Sequence, residues 1–213
     1  MGEMGGTPTA LITGVSRGLG KELARQYAAD GWKVIGTERQ ELEMTDYRQI
    51  RQFAEKLKDQ PIDLLFCNAG ISGKKGMAPG SFDFGSWEEV LRVNLLGPAA
   101  LAEALIDNVA ASERRTIAMM SSRLGSISES SGMTLPYSTS KAALNMLVKG
   151  LSATLKDITV VALSPGWVRT DMGGESAPLS PEASVRGLRK VIAGLKPADS
   201  GKFLSHDGSA IPW

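Results

Sequence analysis

The 213-residue sequence predicts an α/β fold: one domain built on a doubly wound, Rossmann-like parallel sheet with helices on both faces. Two observations predict it. Short, continuously apolar runs alternate with longer amphipathic stretches from end to end, the pattern of buried parallel strands joined by crossover helices. The first apolar run also leads into a glycine-rich turn and then a helical pattern, and in such sheets ligands bind beyond the carboxyl ends of the strands.

Taken in order, residues 9–13 read as a buried strand, 18–30 as a helix and 32–37 as the second strand. A helix over 45–58 precedes a strand at 62–67, and a long helix over 86–110 precedes a strand at 116–121. A helix over 136–156, a strand at 158–164, a helix over 181–195 and a short strand at 202–205 complete the chain. No repeat or interdomain linker interrupts this order, so 1–213 reads as one domain. The loops 71–85, 123–135 and 171–180 are assigned to the substrate. One connection is too short. A crossover between neighbouring parallel strands needs about a dozen residues or more, and the few between 37 and Leu42-Glu43-Met44 cannot supply them. The sheet is therefore expected to be trimmed after the second strand, with 41–44 a stub.

Composition narrows the function. The 24 basic and 23 acidic residues give a net charge of +1 with no long run of either sign, so neither nucleic acid nor an anionic membrane is an expected partner. One cysteine, Cys67, and one histidine, His206, argue against a disulfide framework, a thiolate or histidine metal centre, and a Ser–His hydrolase. No run reaches the roughly 18 apolar residues of a membrane span, and residues 1–6 carry no signal-peptide pattern. A cytoplasmic enzyme is the expectation.

The chemistry centres on Tyr137 and Lys141, which share one face of a helix at i and i+4. A free phenol titrates near ~10 and is a poor acid or base at neutral pH. A nearby ammonium favours the phenolate, and about 4 kcal/mol of differential stabilisation lowers the pKa by ~3 units. Upstream, Gly14, Ser16, Arg17, Gly18, Leu19 and Gly20 form a turn whose N–H groups and helix N-terminus suit a phosphate. Asn68-Ala69-Gly70, Asn94, Ser121-Ser122 and the Pro165–Thr170 stretch each fall at a strand's carboxyl end or on the helix beyond it. In a doubly wound sheet those points converge.

This set, in this order, resembles the short-chain dehydrogenase/reductase family over nearly the whole chain. Ser-Lys-Ala-Ala-Leu-Asn at 140–145, Pro-Gly-Trp-Val-Arg-Thr-Asp-Met at 165–172 and the Asp-Gly…Ile-Pro-Trp ending at 207–213 look most like its small carbonyl-reductase, C-factor-like branch. The resemblance implies that Tyr137 is the proton donor to a carbonyl oxygen as hydride reaches its carbon. Lys141 would lower the Tyr137 pKa and bind the nicotinamide ribose, Ser122 would polarise the substrate oxygen, and Asn94 would hold a water linking Lys141 to solvent. Family spacing would put the serine at Leu124. The Ser-Ser-x-x-Gly pattern at 121–125 selects Ser122, with Ser121 and Ser126 as fallbacks.

For the cofactor, the resemblance adds Thr37, Arg39, Glu43 and Met44 on the adenosine side. Asn68, Ala69 and Gly70 would lie along the ribose, and Pro165, Gly166, Val168 and Thr170 around the nicotinamide. Arg17 and Arg39 suit a 2′-phosphate and favour NADP(H). Glu38 sits where an acid would take a ribose hydroxyl and keeps NAD(H) open. The implied substrate is a small ketone or aldehyde, or the corresponding alcohol. The alternatives are a 3-oxoacyl-carrier reductase using Lys74, Lys75 and Arg123, an NAD-dependent alcohol dehydrogenase, and a cofactor-binding signalling or redox-sensing protein. The helices over 86–110 and 136–156 are apolar around much of their circumference, and family members pair them across a dyad. A homodimer is expected, with a tetramer open.

Overall fold

The structure is a computed structural model that describes residues 6–74, 76 and 79–213. The reading of residues 1–6 for a signal peptide, like Lys75 in the carrier patch, therefore lies almost wholly outside the described residues. Six parallel strands make one sheet in the order β2-β1-β3-β4-β5-β6. They are β1 Thr9–Thr13, β2 Lys33–Thr37, β3 Leu64–Cys67, β4 Thr116–Met120, β5 Thr159–Ser164 and β6 Phe203–Ser205. β1, β3 and β4 are buried along their whole length, the cause of their unbroken apolar runs. Two clusters fill the faces. Leu11, Leu65, Ile117 and Val160 point one way into a core shared with Leu101, Leu144 and Val148. Ile12, Phe66, Ala118 and Val161 point the other way, against Leu23, Val185 and Leu188.

The helices are α1 Gly18–Ala29, α2 Tyr47–Lys56, α3 Phe84–Leu91, α4 Gly97–Ala104, α5 Ile106–Ala110, α6 Leu135–Thr154 and α7 Pro181–Ala193. Caps fix several of their starts. Asp46 accepts from the N–H groups of Arg48 and Gln49 at the head of α2, and Ser180 from Ala183 at the head of α7.

The trimmed edge is present. β2 ends the sheet, and residues 41–46 run past it without pairing as a strand. Leu42 and Met44 are nevertheless buried, and Met44 packs its backbone on Gly97, where a Cβ would lie 2.6 Å from the Met44 oxygen. The stub fills core volume without contributing a strand.

The continuous helix expected over 86–110 is broken. A π-turn at Arg92–Leu96 separates α3 from α4, and a second break at Leu105, φ −116, separates α4 from α5. Pro98 lacks the N–H that a regular helix would direct to the Asn94 carbonyl, which accounts for a widened turn there. The second strand starts at Lys33 rather than Trp32, because Gly31 turns at φ +81 and the Trp32 N–H still bonds to Tyr27 of α1.

Candidate active site

Beyond the carboxyl ends of the strands lies a cleft of about 490 Å³. Its floor is the turn from β1 to α1. Gly14 has φ +75, and its N–H and that of Val15 bond to the Thr37 carbonyl, tying the turn to β2. A Cβ on Gly20 would overlap the Gly14 carbonyl oxygen and lie 2.5 Å from Asn68 Nδ2, so only glycine fits. The turn thus presents bare backbone and the N-terminus of α1 to the cleft, a cradle suited to a pyrophosphate.

All the residues assigned to a cofactor line this cleft: Gly14, Ser16, Arg17, Gly18, Leu19, Gly20, Thr37, Arg39, Glu43, Met44, Asn68, Ala69, Gly70, Tyr137, Lys141, Pro165, Gly166, Val168 and Thr170. Ser122 lines it as well. Asn68 contributes in a way its position alone did not reveal. Its amide donates to the carbonyls of Thr13 and Gly14, at 2.9 and 3.3 Å, while Thr13 Oγ1 accepts from the N–H groups of Asn68 and Ala69. Its side chain therefore braces the glycine turn.

Among the serines, geometry separates the candidates. Ser121 is buried and donates to Asn145 Oδ1 at 2.6 Å, and Ser126 is buried against Trp213. Of the three, only Ser122 both lines the cleft and acts on the Tyr137 phenol, lowering its pKa, while its Oγ accepts from the Leu124 N–H at 3.2 Å. Leu124, where family spacing pointed, supplies an apolar wall.

The geometry bears on two expectations. Lys141 was expected to lower the Tyr137 pKa, but the phenol is pushed up to about 12 by burial, with the Ser122 hydrogen bond pulling the other way. The cause is placement: Lys141 Nζ lies 5.5 Å from the Tyr137 ring centroid, over its face, and donates to the Met120 carbonyl at 2.7 Å. Burial also lowers the Lys141 pKa to about 8. Asn94 was expected to hold a relay water, but its amide is already in use. Nδ2 donates to the Ile71 carbonyl and Ser140 Oγ, and Oδ1 accepts from the Ile71 N–H. Gly70 leaves room beside that amide, since a Cβ would lie 3.1 Å from Asn94 Oδ1 and 3.6 Å from Lys141 Nζ.

The two arginines assigned to a 2′-phosphate are both paired. Arg17 meets Asp171 at 2.7 Å, and Arg39 meets Glu43 at the same distance. Lys74 and Arg123, from the carrier patch, are likewise paired, with Asp83 and Glu129. Leu124, Asp171 and Met172, from the loops assigned to the substrate, line the cleft, as does Trp167 of the Pro-Gly-Trp stretch. What the sequence did not reveal is the pairing of Asp171 with Arg17, 154 residues away. Cys67 is buried, its thiol pushed up to about 12, and carries no reactive character.

The fold and the cleft define a dinucleotide-binding oxidoreductase of the NAD(P)-dependent dehydrogenase/reductase class. The sequence profile described as short chain dehydrogenase matches residues 8–49 and 39–179, and this chain belongs to that family. It is 39% identical over 167 residues to the C-signal of Myxococcus xanthus, covering 77% of this chain and 100% of the relative. Among solved structures it is similar to the carbonyl reductase Sniffer of D. melanogaster, with a TM-score of 0.86 and 29% identity over 97% of this chain and 100% of that one. It is also similar to a short-chain dehydrogenase/reductase from Burkholderia multivorans with bound NADP, at a TM-score of 0.87 and 31% identity over the same shares. No helix among the described residues is long and apolar enough to cross a membrane, and no cluster of His, Cys, Asp and Glu among them has a metal-holding arrangement.

Proposed function

We propose that this chain reduces small, apolar ketones or aldehydes with NADPH, with Tyr137 as the proton donor. One observation carries the proposal: Ser122, Tyr137 and Lys141 line a single cleft whose other end is the phosphate-cradling turn. The glycine turn would hold the pyrophosphate, Asn68 would keep that turn in shape, and Thr170 would meet the nicotinamide carboxamide. When bound, the cofactor supplies the hydride that reduces the carbonyl carbon. Ser122 orients the substrate oxygen, and Tyr137 donates its phenolic proton to that oxygen as negative charge develops on it. Lys141 would turn from the Met120 carbonyl to hold the nicotinamide ribose, and its charge there would favour loss of the phenolic proton. Arg17 and Arg39 would turn from Asp171 and Glu43 to the 2′-phosphate, a charge-assisted contact that NADH does not offer.

The cleft mouth supports an apolar substrate. Leu124, Trp167 and Met172 line it, and they are 37%, 56% and 46% exposed. The same reading takes 1–213 as one domain acting in the cytoplasm and as a homodimer, for which Met146 on α6 and Leu96 beside α4 offer exposed apolar surface. The 39% identity to C-signal favours a second reading, a cofactor-binding signalling protein with little turnover. A panel of apolar, carboxylated and carrier-linked carbonyls, each assayed with NADPH and NADH, tests the choice. Preference for apolar carbonyls with NADPH is expected. Cofactor binding without turnover of any of them would favour the signalling reading, and equal rates with both cofactors would remove the role of Arg17 and Arg39.

A further inference from the structure

The ending at 207–213 has a part in the site that the proposed reaction does not use. After β6 the chain turns at 205–209 and runs back along the strand, with Ile211 N–H bonded to the Phe203 carbonyl at 2.9 Å and Ala210 bridged to Leu204. This return stacks the Trp213 ring on Phe203, with centroids 5.5 Å apart, and places Lys149 Nζ of α6 over its face at 5.6 Å. Held between β6 and α6, Trp213 directs its main-chain oxygen at the loop that follows β4. That oxygen accepts from the N–H groups of Ile127 at 2.6 Å and Ser128 at 3.1 Å, and from Ser126 Oγ at 3.3 Å.

The loop it grips connects Ser122, which orients the substrate oxygen, to the proton donor Tyr137. It leaves the cleft at Ser122, passes Leu124 on the wall and returns to the cleft through Tyr137 in the first turn of α6. Within it, Arg123 pairs with Glu129, a contact local to the loop that does not tie it to the body. Asn145 Nδ2 holds Gly125 from α6, and Trp213 holds the next three residues.

We infer that Trp213 is a positioning residue, whose oxygen fixes the 126–128 turn and thereby sets the substrate wall between Ser122 and Tyr137. The inference rests on the carbonyl-reductase reading for its kinetic consequence, but not for the anchoring itself. Trp213→Ala removes the ring that aims the oxygen, whereas Trp213→Phe keeps a stack on Phe203. Ile127→Pro removes one donor from the other side without touching Trp213. Ile127 is largely exposed, and the extended backbone of Ser126, φ −74 and ψ 121, suits a residue before proline.

Amide hydrogen exchange over 126–130 and steady-state kinetics should be measured on full-length protein for all three variants. Trp213→Ala is expected to exchange about tenfold faster there, with Trp213→Phe close to wild type, as the loss of a turn's anchoring hydrogen bonds predicts. KM for an apolar aldehyde should rise about fivefold in Trp213→Ala and Ile127→Pro, while kcat and NADPH affinity stay within about twofold. Unchanged exchange in Trp213→Ala overturns the inference. So does a joint fall in kcat, NADPH affinity and thermal stability in Ile127→Pro, because that is the signature of a merely structural residue. Exchange decides the anchoring even if wild type turns over no carbonyl, so failure of the functional reading is not mistaken for failure of the anchor.

Discussion

Lys141 donates to the carbonyl of Met120 at 2.7 Å and faces Tyr137 only through the ring, at 5.5 Å from its centroid. The ammonium is thus held by the end of β4 and not by the phenol. Burial sets the two groups apart: Tyr137 is pushed up to about 12 and Lys141 down to about 8. The pH profile of kcat/KM, which reports free-enzyme groups, should therefore lose activity as pH rises through about 8, with Lys141 responsible because Tyr137 keeps its proton well above that point. Lys141→Arg should have a lower plateau but no such limb below about pH 10, since a guanidinium does not titrate there. A limb that stayed near 8 in the arginine variant would assign it elsewhere. The lowered pKa also fixes the sign for stability. From about 8 to the ordinary 10.5 the unfolded chain holds the extra proton on Lys141. Above about 9 the raised Cys67 thiol and Tyr137 phenol act in the opposite sense, so the rise in stability with pH should show only between about 8 and 9.

Arg17 and Asp171 join the glycine turn to the segment after the Pro-Gly turn, with both side chains largely exposed. Such a pair is worth roughly 0.2–1 kcal/mol, and it competes with a 2′-phosphate for the same guanidinium. Asp171→Asn should tighten NADPH binding by about two- to fivefold at low salt and leave NADH unchanged, with the gain fading as salt screens the charges. A fluorescence titration of both cofactors measures this. Equal changes for NADPH and NADH would show that Arg17 does not read the phosphate.

Met146 is 73% exposed on α6, the helix through which the proposed homodimer would pair. If the proposed homodimer pairs through α6, wild type should scatter as a dimer at micromolar concentration and Met146→Glu as a monomer, because the pairing would bury a carboxylate without a partner. A wild-type monomer, or a variant that remained dimeric, would contradict the pairing.

Much of this site was legible in the sequence because it rests on local spacing. Tyr137 and Lys141 fall on one helix, the glycines on one turn, and each strand end carries its own short motif, so the cleft assembles once the strand order is known. The trimmed edge was equally readable, since it follows from chain length alone. What the sequence did not carry depends on contacts between distant segments or on burial. The π-turn at Arg92–Leu96 looks helical in pattern, and the pairing of Arg17 with Asp171 joins two loops. The commitment of the Asn94 amide to Ile71 and Ser140 needs the fold in hand. The raised Tyr137 pKa has a related cause. Helical spacing brings Lys141 near the phenol, but which atom the ammonium satisfies is decided by the carbonyl at the end of β4.

The central claim is that Tyr137 supplies the proton while the rest of the cleft binds the cofactor. Tyr137→Phe removes that proton and keeps the ring, and general acid catalysis of this kind is worth about 10²–10⁴-fold. The most direct measurement is the single-turnover rate of NADPH oxidation by an apolar aldehyde in wild type and Tyr137→Phe, with NADPH affinity determined on the same samples. Tyr137→Phe should lower that rate by about a thousandfold at nearly unchanged affinity. A variant that turned over at close to the wild-type rate would contradict it.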